Sequence, residues 1–308
     1  MPLASLVDMY NKAIAGNYAI PQFNVNNLEF IQAAMEVAEE LKSPIILAAS
    51  TSAIKYAGMN YLMGMVKAGC SEVSVPVAMH LDHGAAPADA KACIDAGFTS
   101  VMIDASHEDL DNNIRITKEV VVMAKDKGVC VEAELGRLGG IEDEVVVDEK
   151  DAFLTDPAEA ERFVKETGLH ALAIAVGTSH GAYKFKQTPK LAMDRITEIK
   201  KLTNIALVLH GASGVPKELL DLGIKYGAEL PGAMGVPDEA YKDAVSRGIN
   251  KINIDTDLRL AFMSHVRQFL AENPSVFDPR KILKPAKEAI KEQMRSKIRL
   301  FGCEGKGA

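Results

Sequence analysis

Several features are scarce or missing in this chain of 308 residues, and each gap excludes a class of protein. The chain has no tryptophan and only 6% aromatic residues, so aliphatic side chains must build most of its core. Its four cysteines show no CxxC spacing, so neither a zinc ribbon nor a redox dithiol is indicated. We expect these cysteines to be reduced and mostly buried.

Long apolar runs and an excess of basic residues are missing as well. Runs such as residues 171–176 fall far short of the roughly 20 residues that a membrane-spanning helix needs. The N-terminus shows no basic region followed by an apolar stretch, so no secretory signal is visible and we expect a cytoplasmic protein. The net charge of −7 argues against a nucleic-acid partner, although an acidic protein can still focus positive charge in one pocket.

The chain does contain a repeated unit, in which a short apolar run ends in polar residues and is followed by a stretch with helical periodicity. Near-continuous apolar runs are typical of parallel strands that are buried on both faces. Eight such runs occur, at residues 19–23, 45–49, 77–81, 100–103, 129–133, 171–176, 205–209 and 251–254.

Eight strand–helix units in about 250 residues predict an α/β protein with a (β/α)8 TIM barrel and extra N-terminal and C-terminal helices. We expect one domain over residues 1–308, with the barrel at about 19–270 and a helical extension at about 271–308. A doubly wound open sheet is the alternative. It would be favoured by a GxGxxG turn after the first strand, and QFNVN at residues 22–26 is unlike one.

Polar residues follow all eight runs, where a barrel places its catalytic groups. Three of them are histidines on different strands: His83, His180 and His210. A lone histidine at a strand end is more often a hydrogen-bonding or core residue. Three nitrogen ligands with an open fourth position are, however, a typical catalytic zinc site, so their convergence predicts a zinc-binding barrel mouth.

Two loops rich in small residues follow the sixth and seventh runs, GTSHGAYK at 177–184 and GASGVP at 211–216. Backbone N–H groups of such loops can surround an anion, and Lys184 can add charge. Barrels often bind phosphate beside strands seven and eight, where Asn253, Asp255 and Thr256 would complete the pocket. These loops therefore suggest a phosphorylated small-molecule substrate.

Six ordered motifs extend over most of the chain. They are LDHG at 81–84, VMIDAS at 101–106, VEAELG at 131–136, GTSHG at 177–181, LHGAS at 209–213 and NIDTD at 253–257. In these motifs the sequence resembles the class II, zinc-dependent fructose-1,6-bisphosphate aldolases. It is similar to the compact branch of that family, which also includes tagatose-bisphosphate aldolases.

The resemblance implies roles for the residues that match the family's metal and acid–base positions. It makes His83, His180 and His210 the ligands of a catalytic Zn²⁺. It also implies a second divalent ion, for which Asp104 and Glu134 match the ligands, and allows for a monovalent cation. Asp82 matches the group that exchanges a proton with the C4 oxygen, and Glu142 matches a loop acid that moves the C3 proton.

The resemblance also implies a set of substrate contacts. Ser50 and Arg280 match contacts to the far phosphate of the aldehyde half, and the arginine can reach across a subunit interface in the family. A homodimer or homotetramer is therefore expected. Asn24, after the first run, is a further expected contact, and the dihydroxyacetone phosphate site is matched by Gly181, Lys184, Gly211, Ala212, Ser213, Asn253, Ile254, Asp255 and Thr256.

The activity implied by the resemblance is the reversible aldol cleavage of fructose 1,6-bisphosphate to dihydroxyacetone phosphate and glyceraldehyde 3-phosphate, through an enediolate, in glycolysis and gluconeogenesis. Tagatose 1,6-bisphosphate, which differs only at C4, is an alternative substrate. A Schiff base on Lys251 would leave the three histidines without a role. A zinc-dependent barrel hydrolase would usually carry an HxH pair on the first strand, and a non-enzymatic binding protein would not need the three-histidine site.

Overall fold

The computed structural model describes residues 3–142, 145–147, 153–180, 191–230 and 235–307, and the side chains of residues 140–142, 145–147 and 180 are outside this description. The strands are β1 Ile20–Asn24, β2 Ile45–Ser50, β3 Val77–Gly84, β4 Ser100–Ile103, β5 Cys130–Leu135, β6 Gly139–Glu142, β7 Val145–Val147, β8 Ala171–Ile174, β9 Ser179–His180, β10 Ala206–Leu209 and β11 Ile249–Ile254. The helices are α1 Leu6–Gly16, α2 Leu28–Glu40, α3 Thr51–Ala57, α4 Met59–Ser71, α5 Pro87–Ala96, α6 Leu110–Lys125, α7 Pro157–Thr167, α8 Met193–Thr203, α9 Lys217–Lys225, α10 Asp238–Ser246, α11 Thr256–Glu272 and α12 Pro279–Leu300.

Eight parallel strands form a closed barrel in the order β1-β2-β3-β4-β5-β8-β10-β11. The first and last strands close it, with Ile20 paired to Lys251 and Phe23 to Ile254. Each of the eight apolar runs coincides with one barrel strand, so the predicted (β/α)8 barrel is confirmed. All residues of these eight strands are buried, as expected where helices cover the outside and side chains fill the inside.

Polar residues fix the start of several outer helices. Asn27 caps α2 by accepting a hydrogen bond from the backbone N–H of Phe30, and Asp109 caps α6 through Asn112. Asp156 caps α7 and is followed by Pro157, whose missing N–H costs nothing at the first helical position. The helix boundaries therefore follow from local sequence, and the strands between them take up their places in the barrel.

A small second sheet lies outside the barrel order. In it β6 pairs antiparallel with β7 and parallel with β9, and Gly140 is opposite His180. The sequence patterns did not predict this sheet. His180 therefore does not extend the sixth barrel strand, which ends at Ile174, but lies in a separate strand paired to the segment that ends at Glu142.

The C-terminal helix α12 packs against α2 and α11. Its Lys287 and Lys291 form ion pairs with Glu36 of α2, and Arg295 pairs with Glu40. Across the described part of the chain, no helix has the length and apolar character to cross a membrane.

Gly136, directly after β5, should be intolerant of a side chain. Its φ is +87°, and a Cβ there would lie 2.7 Å from the hydroxyl oxygen of Thr155, which bonds the backbone of Leu135 and Ala175. Gly128 has a similar φ of +63° with open space around it. We expect Gly128→Ala to lower the free energy of unfolding by about 1–2 kcal/mol, and Gly136→Ala to cost about 1–3 kcal/mol more.

Urea unfolding of the two variants measures this difference. Equal destabilisation of Gly136→Ala and Gly128→Ala would show that the close approach to Thr155 does not constrain the turn.

Candidate metal and substrate site

His83 lies at the carboxyl end of β3 in an unusual backbone conformation. Its φ is +46°, and the register between β3 and β4 shifts between Leu81 and Gly84. A Cβ on Gly84 would lie 2.7 Å from the carbonyl oxygen of Met102, so this glycine lets the two strands approach. The irregular strand end turns the His83 ring toward the barrel mouth, where its Nδ1 lies 2.8 Å from an oxygen of Asp104.

His210 follows β10 and is completely buried. Its Nε2 lies 2.9 Å from Glu132 Oε1, and its Nδ1 lies 2.9 Å from Nε2 of His83. A carboxylate beside one ring nitrogen favours the proton on that nitrogen and leaves the other as a lone-pair donor. The Nδ1 of His210 and the Nε2 of His83 therefore point to a common position.

Glu132 is itself held by Lys251 inside the barrel. The ammonium of Lys251 lies 2.7 Å from both carboxylate oxygens, and neither side chain is exposed to solvent. Burial acts to raise the pKa of Glu132, but the charge of Lys251 and the hydrogen bond with His210 outweigh it, so this pKa is below its usual range. Glu132 is therefore an ionised carboxylate that fixes the ring of His210.

Two groups of side chains at the mouth have the spacing of metal ligands. Asp82, His83 and His210 form one group, and His83, Asp104 and Glu134 form the other, with the donor atoms of each group within 4.8 Å of one another. Oε2 of Glu134 is buried and receives no hydrogen bond from a described residue. Two facing ring nitrogens and a buried carboxylate oxygen without a donor fit a bound divalent cation.

The third predicted histidine ligand, His180, is placed only through its backbone. A Cβ on Gly211 would lie 2.7 Å from the carbonyl carbon of Ser179, so the residue after His210 packs directly on the residue before His180. The hydroxyl of Ser179 donates to the carbonyl oxygen of Gly139, 2.7 Å away, which fixes β9 beside β6. The side chain of His180 is outside the described atoms, so its role as a ligand stays a prediction.

Asp82 lies beside the histidines and is held by two amides. Asn24 of β1 donates to one carboxylate oxygen at 2.8 Å, and Asn253 of β11 donates to the other at 3.1 Å. Burial acts to raise the pKa of Asp82, but the electrostatic influence of the neighbouring groups, first His83 and then His210 and Lys251, lowers this pKa below the usual range. Asp82 is therefore a buried, ionised carboxylate in a fixed orientation.

The two predicted phosphate segments, residues 211–213 and 253–256, are in contact. The hydroxyl of Ser213 accepts a hydrogen bond from the backbone N–H of Asp255 at 3.3 Å, and the Asp255 carboxylate pairs with Arg259. Gly211, Ala212 and Ser213 follow β10, whereas Asn253 and Ile254 end β11 and Thr256 begins α11. The structure thus brings the last two strand ends together in one place.

The remaining predicted contacts lie on β2, on α12 and in segments at or beyond the edge of the described residues. Ser50 is at the end of β2, paired in register with Asp82, and its hydroxyl caps α3. Arg280 is exposed in the first turn of α12, where its guanidinium pairs with Asp278. The backbone of Glu142 ends β6 but its side chain is outside the description, and Gly181 and Lys184 lie outside the described residues.

Lys251 differs from what its position in the sequence suggested. It is the third residue of β11 rather than the first of a strand, and its charge is satisfied inside the barrel by Glu132. His80 is in the same interior, with Nδ1 2.7 Å from the hydroxyl of Ser100, and burial followed by the charge of Lys251 lowers its pKa to about 3. His80, Glu132 and Lys251 form this network. The sequence signal that could have predicted it is the presence of ionisable residues within otherwise apolar strands.

Fold and site together define a class of protein. A closed barrel of eight parallel strands, with histidines and carboxylates converging at the carboxyl ends of those strands, is the architecture of a metal-dependent (β/α)8 barrel enzyme.

Comparisons with known proteins identify the family. The family described as "Fructose-bisphosphate aldolase class-II" matches residues 4–229 and 230–306. The fructose-bisphosphate aldolase of Thermus caldophilus is 53% identical over 304 residues, which cover 99% of both chains, and that of Helicobacter pylori strain J99 is 49% identical over 96% of each. The solved structure of the YdjI aldolase from Escherichia coli K12 has a TM-score of 0.81 and 32% identity, over 99% of this chain and 100% of that one. The chain belongs to the class II fructose-bisphosphate aldolase family.

The role of Glu132 in orienting His210 can be tested by metal binding. Glu132→Gln keeps the shape of the side chain but makes it a weaker acceptor for the N–H of His210, so we expect zinc affinity to fall about 10- to 100-fold. Competition with a chromogenic chelator measures this, and circular dichroism checks that the fold is kept. The control is Glu72→Gln, an exposed position after α4. Equal zinc affinity in the two variants would contradict the assigned role.

Proposed function

We propose that this chain catalyses the reversible aldol cleavage of fructose 1,6-bisphosphate to dihydroxyacetone phosphate and glyceraldehyde 3-phosphate, with zinc as the metal. The observation that carries the proposal is the pair of facing nitrogens on His83 and His210 beside the fixed carboxylate of Asp82. Its second support is the full-length similarity to relatives that are named fructose-bisphosphate aldolases.

The proposed ligands of the zinc are His83, His180 and His210. Zinc bound there would supply a Lewis acid that stabilises the negative charge developing on the ketone half when the C3–C4 bond breaks. Asp104 and Glu132 hold the rings of His83 and His210 in the orientation that this requires. Asp104 and Glu134, with His83, have the spacing to hold a second or displaced divalent ion.

Asp82 is the proposed acid–base group. In cleavage its carboxylate takes the proton from the C4 hydroxyl, and in condensation it returns that proton. The amides of Asn24 and Asn253 donate to one oxygen each, so the carboxylate is held in a fixed orientation. Glu142 is the proposed group for the proton at C3.

Substrate binding is proposed to fix the two halves of the sugar in reacting geometry. The segments 211–213 and 253–256, with Gly181 and Lys184, would bind the phosphate of dihydroxyacetone phosphate through backbone N–H groups and one ammonium. Ser50 would contact the other phosphate. The exposed Arg280 is available to a neighbouring copy, which is consistent with a homo-oligomer in which it completes the second phosphate site.

The metal route and the lysine route predict opposite results with two reagents. We expect a metal chelator to abolish cleavage of fructose 1,6-bisphosphate and added zinc to restore it. Borohydride with substrate should leave both the activity and the protein mass unchanged, because the ammonium of Lys251 is paired with Glu132 inside the barrel. A coupled assay and mass spectrometry make the measurements.

A covalent adduct trapped by borohydride would instead support a lysine mechanism. The same assay with tagatose 1,6-bisphosphate measures the preference at C4, and faster cleavage of that sugar would contradict the proposed substrate.

Two substitutions separate proton transfer from metal binding. Asp82→Ala should keep zinc and lower turnover about 100- to 10,000-fold, because it removes the acid–base group. His210→Ala should lose zinc. Metal analysis and steady-state rates measure both effects, with Asp95→Ala on the exposed face of α5 as the control. Near-normal turnover in Asp82→Ala would refute the acid–base assignment.

A further inference from the structure

Lys297 is a buried cation on the C-terminal helix α12, outside the barrel and without a role in the chemistry described above. Only 3% of the residue is exposed. Its ammonium lies 3.2 Å from an oxygen of Asp257 and 4.6 Å from the ring centre of Tyr241. A buried ammonium needs compensating partners, so this arrangement is a specific one.

Asp257, the first of these partners, holds the loop that follows His210. Its carboxylate is fully buried, and its two oxygens accept hydrogen bonds from the backbone N–H groups of Gly214 at 3.0 Å and Val215 at 2.7 Å. Val215 has a φ of +49°, which a β-branched residue adopts only when its surroundings impose it. Asp257 therefore imposes the shape of the turn that closes the segment 211–213.

Tyr241, the second partner, holds the same loop two residues earlier. Its hydroxyl donates a hydrogen bond to the carbonyl oxygen of Ala212, and its ring is completely buried. A Cβ on Gly214 would lie 3.0 Å from the ammonium of Lys297 and 3.1 Å from the hydroxyl of Tyr241. The loop therefore rests directly on these two side chains, with no space between them.

We propose that Lys297 is a positioning residue for the phosphate of the ketone half, acting through Asp257 and Tyr241 on the loop 211–215. This inference rests on the proposed function, in which that loop binds the phosphate. The ammonium pairs with the buried carboxylate of Asp257 and keeps it pointed at the N–H groups of Gly214 and Val215. Without it, the carboxylate is a buried charge with no cation, and the loop loses its fixed shape.

Lys297, Asp257 and Tyr241 together form a clamp on the loop 211–215. We expect this clamp to affect phosphate binding and to leave the metal ligands in place. His210 directly precedes the loop, but its ring is held by Glu132 and His83 from inside the barrel. Loss of Lys297 should therefore weaken binding of the phosphorylated ketone without releasing zinc. A residue that served only the stability of α12 would not produce this separation.

The test compares two lysines on the same helix in the zinc-loaded enzyme. Lys297→Met removes the cation of the clamp, whereas Lys291→Met removes a cation that pairs with Glu36 on the outer side of the barrel. We expect Lys297→Met to raise the Kd for dihydroxyacetone phosphate, measured by calorimetry, and the KM for fructose 1,6-bisphosphate by about tenfold or more. Zinc content should stay at the wild-type value, and kcat should change less than KM.

Two further variants complete the design. Lys297→Arg restores a cation, so we expect it to recover part of the affinity for dihydroxyacetone phosphate. Lys291→Met should match the wild type in Kd, KM and zinc content. If Lys297→Met does not fold, Tyr241→Phe removes only the hydroxyl on Ala212, and we expect it to raise the same Kd at least threefold.

An unchanged Kd in a folded Lys297→Met protein, or in Tyr241→Phe if that variant is the one tested, would overturn the proposal. So would a loss of zinc in parallel with the loss of affinity, because the residue would then support the whole site. A wild-type protein that neither binds dihydroxyacetone phosphate nor cleaves the bisphosphate would contradict the proposed function itself. That outcome is distinct from wild-type binding that Lys297→Met leaves unchanged.

Discussion

The buried ion pair of Glu132 and Lys251 is the interaction on which the rest of the site depends. Both side chains are inside the barrel with no solvent exposure, so removal of one partner would leave an uncompensated charge at a cost of about 3–5 kcal/mol. Well-packed apolar residues could fill the same space without a buried charge, so the pair is explained by the second contact that the Glu132 carboxylate makes. Glu132 fixes the ring of His210, so the geometry of the barrel mouth depends on the ion pair in the barrel interior.

The site is assembled from strands that are far apart in sequence and whose carboxyl ends come together because the barrel closes. Asn24 on β1 and Asn253 on the adjacent strand β11 both bond the carboxylate of Asp82 on β3 across the barrel mouth. These hydrogen bonds hold the donors and acceptors of the site in a fixed geometry, and such preorganisation is what electrostatic catalysis needs. Outside the barrel, Lys297 of α12 pairs with Asp257, whose carboxylate bonds the loop that follows β10.

The barrel can be predicted from the sequence because each strand is a short apolar run that ends in polar residues, a local signal that repeats eight times. The convergence of His83, His210 and Asp82 can also be predicted, since residues at the carboxyl ends of the strands must meet once the barrel closes. The separate strand that contains His180 could not be predicted, because β9 forms only by pairing with β6 some forty residues away. Nor does the sequence reveal Lys297, because a lysine on an amphipathic helix resembles a surface residue until tertiary packing buries it.

The ring nitrogens of His83 and His210 face a single position, at which we propose that the metal binds. Anomalous X-ray scattering from crystals of the zinc-loaded protein tests this most directly. We expect a zinc ion about 2.0–2.1 Å from Nε2 of His83 and Nδ1 of His210, with His180 as the third ligand. A zinc ion bound through Nε2 of His210, or held by Asp104 and Glu134 without His210, would contradict it.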